Sequence, residues 1–338
     1  MSKKKHHLPA EEVEALSFSD SQLFHDIYGT PRPAPRVLAP VADTHGHLGS
    51  LHEHSAAESL ARAAAGVRML IVPVDIATEF PRKWADTSAF IAWFEDTLSQ
   101  ARGAYAKLAE ANLCVPCDLP AEYLFEHTYF VVGAHPYSAP DYNQEAEQRL
   151  FELLEHPLCV GVGEIGLDFG PYCEVSEEVQ RQVFERQLSI AHEHNQRVEL
   201  HLRDGADDTH AHDLALEILN RLGVPKAGCD LHCYTDGPEV MKPFADLGCF
   251  VAFGGAVTFK RSDDIRAAMI SCPEAQLLSE TDFPYMAPEP LRGGECTPAM
   301  VVHTVERLAE LRWQRLDIPK EKTYTILWEN AQRFVGLA

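Results

Sequence analysis

The stretch "VADTHGHLGS" sets His45 and His47 two residues apart directly after an apolar run. Imidazole is a common metal ligand, and on a strand residues i and i+2 point to the same face, so these two rings can converge on one ion. The same spacing recurs at His52/His54, His192/His194 and His210/His212. Those pairs are read as surface residues. His192 and His194 fall in a helical pattern, His210 and His212 lie in a polar segment just before another, and His52 and His54 occupy a loop. Further residues of ligand type close other apolar runs: Asp75, His135, Glu164 with Asp168, His201, His232 and Asp282, with Asp43 just ahead of His45.

Independent core histidines would not choose the same end of several different strands. The histidines 45, 47, 201 and 232 with the carboxylates Glu164 and Asp282 are too many for one tetrahedral site that keeps an open position. The set therefore predicts two divalent metal ions sharing a bridging carboxylate. Imidazole with carboxylate suits zinc as the bound ion, with manganese or magnesium as alternatives for activity.

The elements that must position these groups are legible as eight short apolar runs: "VLAPVADTH", "VRMLIVPVD", "TYFVVGAHP", "LCVGVGEIGLD", "QRVELHLR", "GCDLHCY", "CFVAFGGAV" and "AQLLSETDFP". Longer amphipathic segments alternate with them, such as 57–65, 176–194, 213–222 and 298–311. That alternation predicts an α/β fold of the (β/α)8 TIM-barrel type, whose active site sits at the carboxyl ends of the strands. Residues 37–338 read as one barrel domain and residues 1–36 as an N-terminal appendage, joined through the extended "TPRPAPR". Between the second and third runs, roughly 80–126 form an insertion built on one long helix, too short for a core of its own.

The 338 residues are 46% hydrophobic and 24% charged, an ordinary globular composition. No apolar run reaches the roughly 18 residues of a membrane span, and the start has no apolar stretch suited to a signal peptide, so a cytoplasmic enzyme with no membrane partner is expected. Nine cysteines, an odd number, fit reduced thiols. The pair Cys114/Cys117 has no second pair at zinc-site spacing. A net charge of −22 excludes a broad basic track for nucleic acid. An anionic substrate then needs local positive charge, which bound ions supply.

From about Val37 to Gly336 the motifs "ADTHGHL", "GAHPY", "GEIGLDF", "LHLRDG", "LHCYTDG", "GCFVAFGGAVTFK", "SETDFPYMAP" and "ENAQRFVGL" follow in one order. In these the chain resembles the TatD-like metal-dependent deoxyribonuclease (hydrolase) family. The resemblance implies His45, His47 and Asp282 on one metal, His201 and His232 on the other, and Glu164 bridging. It also implies that His135 and Arg203 face the substrate phosphate. The chain departs from the family pattern at Asp236, which precedes Gly237, and at "GGECTP" after the eighth run.

The expected activity is phosphodiester hydrolysis that removes nucleotides from a single-stranded end, with water activated by the ions and Asp282 acting as both ligand and base. Arg203 shares a strand face with His201 and can clamp phosphate through its planar fork, or else pair with Asp204 or Asp168. Asp43 reads as a residue that fixes a histidine tautomer, and Asp168 as one that holds Arg203 or a loop. Phe283 and Tyr285 can stack on a base or pack across the barrel mouth. Two other readings are a related barrel hydrolase acting on a carboxyl ester, amide or lactone, including an aminoacyl-tRNA ester, and a non-catalytic metal-dependent binding protein.

Overall fold

The computed structural model describes residues 7–206 and 208–337. Eight parallel strands, Val41–Asp43, Val67–Asp75, Thr128–Gly133, Cys159–Asp168, Arg197–Arg203, Cys229–Leu231, Phe250–Phe253 and Leu277–Ser279, pair in chain order. The first and eighth meet at a seam held by Thr44 N–H to Ser279 O at 3.0 Å, Asp282 N–H to His45 O at 3.0 Å and His47 N–H to Phe283 O at 2.7 Å. The result is the TIM barrel expected from the alternating pattern. The strands are buried on both faces, which is why "VRMLIVPVD" reads as a near-continuous apolar run rather than an alternating one.

The surrounding helices start where the sequence supplies caps. Ser55 Oγ accepts the Glu58 N–H ahead of Ala56–Ala64, and Asp86 accepts the Ala89 N–H ahead of Thr87–Glu110. The 24-residue helix Thr87–Glu110 fills most of the long connection after the second strand. Its Phe90 and Phe94 pack on Phe130 of the third strand with ring centroids 5.2 and 5.5 Å apart. It thus adds to the barrel's own core.

Ahead of the barrel, the helix Ala10–Asp20 and the antiparallel pair Phe24–His25 and Pro31–Arg32 lie against it. Arg62, on the helix Ala56–Ala64, holds this segment by donating to Glu14 O at 2.9 Å, Leu23 O at 3.2 Å and Ser17 Oγ at 3.2 Å. Among the described residues no helix is long and apolar enough to cross a membrane.

Candidate metal centre

The ligand-type residues gather at the carboxyl ends of the strands. Several lie just past the hydrogen-bonded strand proper: His45 and His47 follow Asp43, His232 follows Leu231, and Asp282 follows Ser279. Gly46 is required between the two histidines because a Cβ there would come within 2.0 Å of the Phe283 ring. Asp282 itself has φ 57, the left-handed region that few non-glycine residues adopt, and this turns its carboxylate across the barrel mouth.

Glu164 stands at the centre, and its two oxygens face two different groups. Oε1 lies 2.8 Å from His201 Nδ1, 2.9 Å from His232 Nε2 and 3.6 Å from His135 Nε2. Oε2 lies 3.6 Å from His47 Nε2 and 4.0 Å from His45 Nε2. Asp282 Oδ1 closes the second group at 3.5 Å from His45 Nε2 and 3.6 Å from His47 Nε2. All six residues read from the sequence as ligands are brought together, with His135 at their edge.

The imidazoles are oriented by Glu199, which sequence reasoning did not single out, and by Asp168, which it read as holding Arg203 or a loop. His45 Nδ1 lies 2.9 Å from Glu199 Oε1, a wholly buried pair, so Nε2 is the nitrogen turned to the centre. His201 Nε2 lies 3.0 Å from Asp168 Oδ2, which leaves Nδ1 facing Glu164. Asp43, read as a candidate for fixing a tautomer, instead accepts from Thr281 N at 2.8 Å and Thr281 Oγ1 at 2.7 Å, tying the first strand to the eighth. Asp75 accepts the N–H groups of Ala77 and Thr78 and the Ser138 hydroxyl, fixing the turn that carries His135.

Glu199, Asp230 and Glu280 each stand two residues before a ligand-type residue, His201, His232 and Asp282, and are wholly buried. Strand alternation points them inward in the layer beneath the centre, which was the available signal. Burial pushes the carboxyls of Asp230 and Glu280 well above the ordinary range.

The donor set fits metal cations on its own chemistry. Imidazole nitrogens face one another at 3.2 Å, His45 Nε2 to His47 Nε2, and at 3.3 Å, His201 Nδ1 to His232 Nε2, with carboxylate oxygens between them. Because Glu199 and Asp168 occupy the far nitrogens, the near ones are presented as lone pairs aimed at a common space. Burial opposes charging His201, yet Asp168 and Glu164 raise it to about 9. For Glu164, burial is outweighed by His232 and His135, which hold its carboxyl well below the usual range.

Several other expectations change. His212 is buried rather than a surface residue: its Nδ1 lies 2.6 Å from Asp204 Oδ2, because the helix His210–Leu222 starts earlier than the periodicity suggested and turns this ring inward. His210 remains exposed beside Glu177, and His54 pairs with Glu14 at 2.7 Å. Arg203 forms no ion pair with Asp168 or Asp204, since those carboxylates hold His201 and His212; its guanidinium lies 5.6 Å from the Tyr172 ring centroid. Phe283 is fully buried packing under Gly46, whereas Tyr285 is exposed beside His47.

With this geometry in view, the profile described as TatD related DNase matches residues 42–336. The chain belongs to that family. A metal-dependent hydrolase of Bacillus subtilis, YabD, is 32% identical over 62% of this chain and 78% of its own length. A protein of Escherichia fergusonii named 3'-5' ssDNA/RNA exonuclease TatD is 31% identical over 56% of this chain and 72% of its own. The human 3'-5' RNA nuclease TATDN2 is 30% identical over 61% of this chain but only 26% of its own. Among solved structures, the TatD homologue YJJV of Escherichia coli superposes with a TM-score of 0.66 at 27% identity, covering 88% of this chain and 98% of that one. As a TatD relative this chain is a metal-dependent hydrolase.

Proposed function

We propose that the chain is a two-metal phosphodiesterase that takes nucleotides from a single-stranded end of nucleic acid. The observation that carries this reading is the division of Glu164, one oxygen toward His201 and His232 and the other toward His45 and His47 with Asp282. His45, His47, Asp282 and Glu164 would hold one ion and His201, His232 and Glu164 the other, with zinc as the bound metal. Paired divalent ions supply a nucleophilic water near neutral pH and neutralise charge on the phosphoryl oxygens during in-line displacement.

The protein groups supply the rest. Asp282 stays ionised because His45 and His47 outweigh its burial, so it can take the proton of the attacking water. Burial, with His201 beside it, lowers His135 to about 3, so its ring is neutral at cell pH. Its Nδ1 accepts the Tyr137 N–H at 3.1 Å, which leaves Nε2 as the N–H donor toward a phosphate oxygen. Arg203, not tied up by a carboxylate, can reach the same phosphate with its planar fork. The nuclease names of two relatives support this substrate class. Nine free cysteines suit a reducing compartment, the cytoplasm.

The test is an end-labelled single strand beside a circular strand of the same sequence, with zinc, manganese or magnesium added. Stepwise shortening of the linear strand and an intact circle are expected. Rapid cutting of the circle, or turnover that persists after complete metal removal, would overturn the reading.

A further inference from the structure

Beside the catalytic mouth, the loop after the fifth strand and the loop after the sixth face each other across the start of the helix His210–Leu222. His212 sits there with its side chain only 4% exposed, between two carboxylates. Asp204 is fixed at both oxygens: Oδ1 accepts the N–H of Ala211 at 2.7 Å and of His212 at 3.3 Å, and Oδ2 lies 2.6 Å from His212 Nδ1. In the tautomer that this contact favours, with the ring proton on Nδ1, Nε2 carries a lone pair. Nε2 faces Asp236 Oδ2 at 3.9 Å, too far for a hydrogen bond.

A buried imidazole acceptor turned to a carboxylate is a poor arrangement unless something positive lies between them. Metal bonds to nitrogen and oxygen run about 2.0 to 2.2 Å, so one ion can touch both atoms across this gap. Asp204 then plays toward His212 the part that a carboxylate commonly plays behind a metal-bound histidine, holding the tautomer and orientation. Tyr234 and Phe244 close the ring in with centroids 6.2 and 5.8 Å away, which excludes water from its flanks.

We infer that His212 Nε2 and Asp236, with Asp204 holding the imidazole from behind, form a further divalent-cation site, suited by its imidazole nitrogen and carboxylate oxygen to Zn2+ or Mn2+, separate from the Glu164 centre. The site opens on a cleft of about 570 Å³ lined by Arg203, Asp204, Asp208, Thr235 and Asp236. Three carboxylates next to Arg203 would repel a phosphate; a cation among them reverses the local sign and draws the anionic strand toward the mouth. This role for the ion rests on the nuclease reading, whereas the site itself does not.

The experiment counts ions on the full chain. Metal-free protein is titrated with Mn2+ and with Zn2+ by equilibrium dialysis, for the wild type, Asp236→Asn and Asp282→Asn. The wild type is expected to bind one ion more than Asp236→Asn, or to bind that ion at least about tenfold more tightly. Asp282→Asn should keep it. Identical counts and affinities for the wild type and Asp236→Asn would overturn the site, and this outcome is independent of any turnover. Binding of a fluorescent single-stranded oligonucleotide should be several-fold weaker in Asp236→Asn at the same metal concentration. Equal binding, with the ion lost, would overturn the phosphate-attracting role.

Discussion

Glu199 and His45 meet at 2.9 Å inside the barrel with both side chains fully buried, although 154 residues separate them in the chain. The contact joins the fifth strand to the loop after the first and decides which imidazole nitrogen looks into the centre. Glu199→Gln keeps the shape but removes the charge that favours a proton on Nδ1. Metal affinity is expected to fall by about 10- to 100-fold, as for other carboxylates behind metal-bound histidines. Competition with a chromophoric chelator reads this without turnover; an unchanged affinity would show that Glu199 only fills space.

Glu164 is the group on which both donor sets depend. In Glu164→Gln the amide cannot offer two anionic oxygens, so the two sets lose their common member. Activity is expected to drop by at least roughly 10²-fold, with ion binding weakened throughout the centre. Chelation of the wild type should do the same and be reversed by adding metal back. Elemental analysis alongside a rate measurement checks both, and a Glu164→Gln protein with full turnover would sink the bridging assignment.

Much of the barrel and most of the centre are legible in the amino-acid sequence, and the reasons differ by residue. The eight strands were legible because burial on both faces demands unbroken apolar runs, and the ligand-type residues were legible because they stand where those runs stop. Glu199 was not: a carboxylate inside "VELHLR" shows its inward direction by alternation, but its histidine partner comes from the far side of the barrel. His212 was hidden by the polar segment "DDTHAHD", because its burial depends on Asp204 before the helix and on Phe244 from another one. Asp43 shared a strand face with His45, yet Thr281 across the seam offered it two donors.

Arg203 forms no ion pair with Asp168 or Asp204, which hold His201 and His212 instead, so its charge is available. Arg203→Lys retains the charge and loses the planar fork, and Arg203→Ala loses both. Both are expected to raise KM for an oligonucleotide, the alanine variant by about tenfold or more, with the larger loss when the strand carries more than one phosphate. Because few phosphates are neutralised, log KM should rise with log salt at a shallow slope of about 1 to 2. A steep slope would mean a longer contact track than the acidic surface suggests.

His303 gives the protein a weak point in acid far from the metal centre. It lies on the helix Val301–Leu316, is 7% exposed, and meets the ring of Phe24 at 4.8 Å, where the N-terminal segment docks on the barrel. Its Nε2 has no partner among the described residues, and burial lowers its pKa to about 4 from an ordinary 6.5. The folded state therefore disfavours the charged ring. Above pH 6.5 both states are neutral and nothing is lost. As pH falls from 6.5 toward 4 the unfolded chain takes up the proton first, so stability declines through that window. The full effect is on the order of 3 kcal/mol once both states are protonated. Denaturant midpoints at pH 7 and pH 5 should differ more in the wild type than in His303→Leu, which cannot titrate there. Proteolysis within residues 7–36 should speed up at pH 5 in the wild type alone, because charging His303 loosens the Phe24 contact. Parallel pH profiles in the two proteins would show that this histidine is not held neutral.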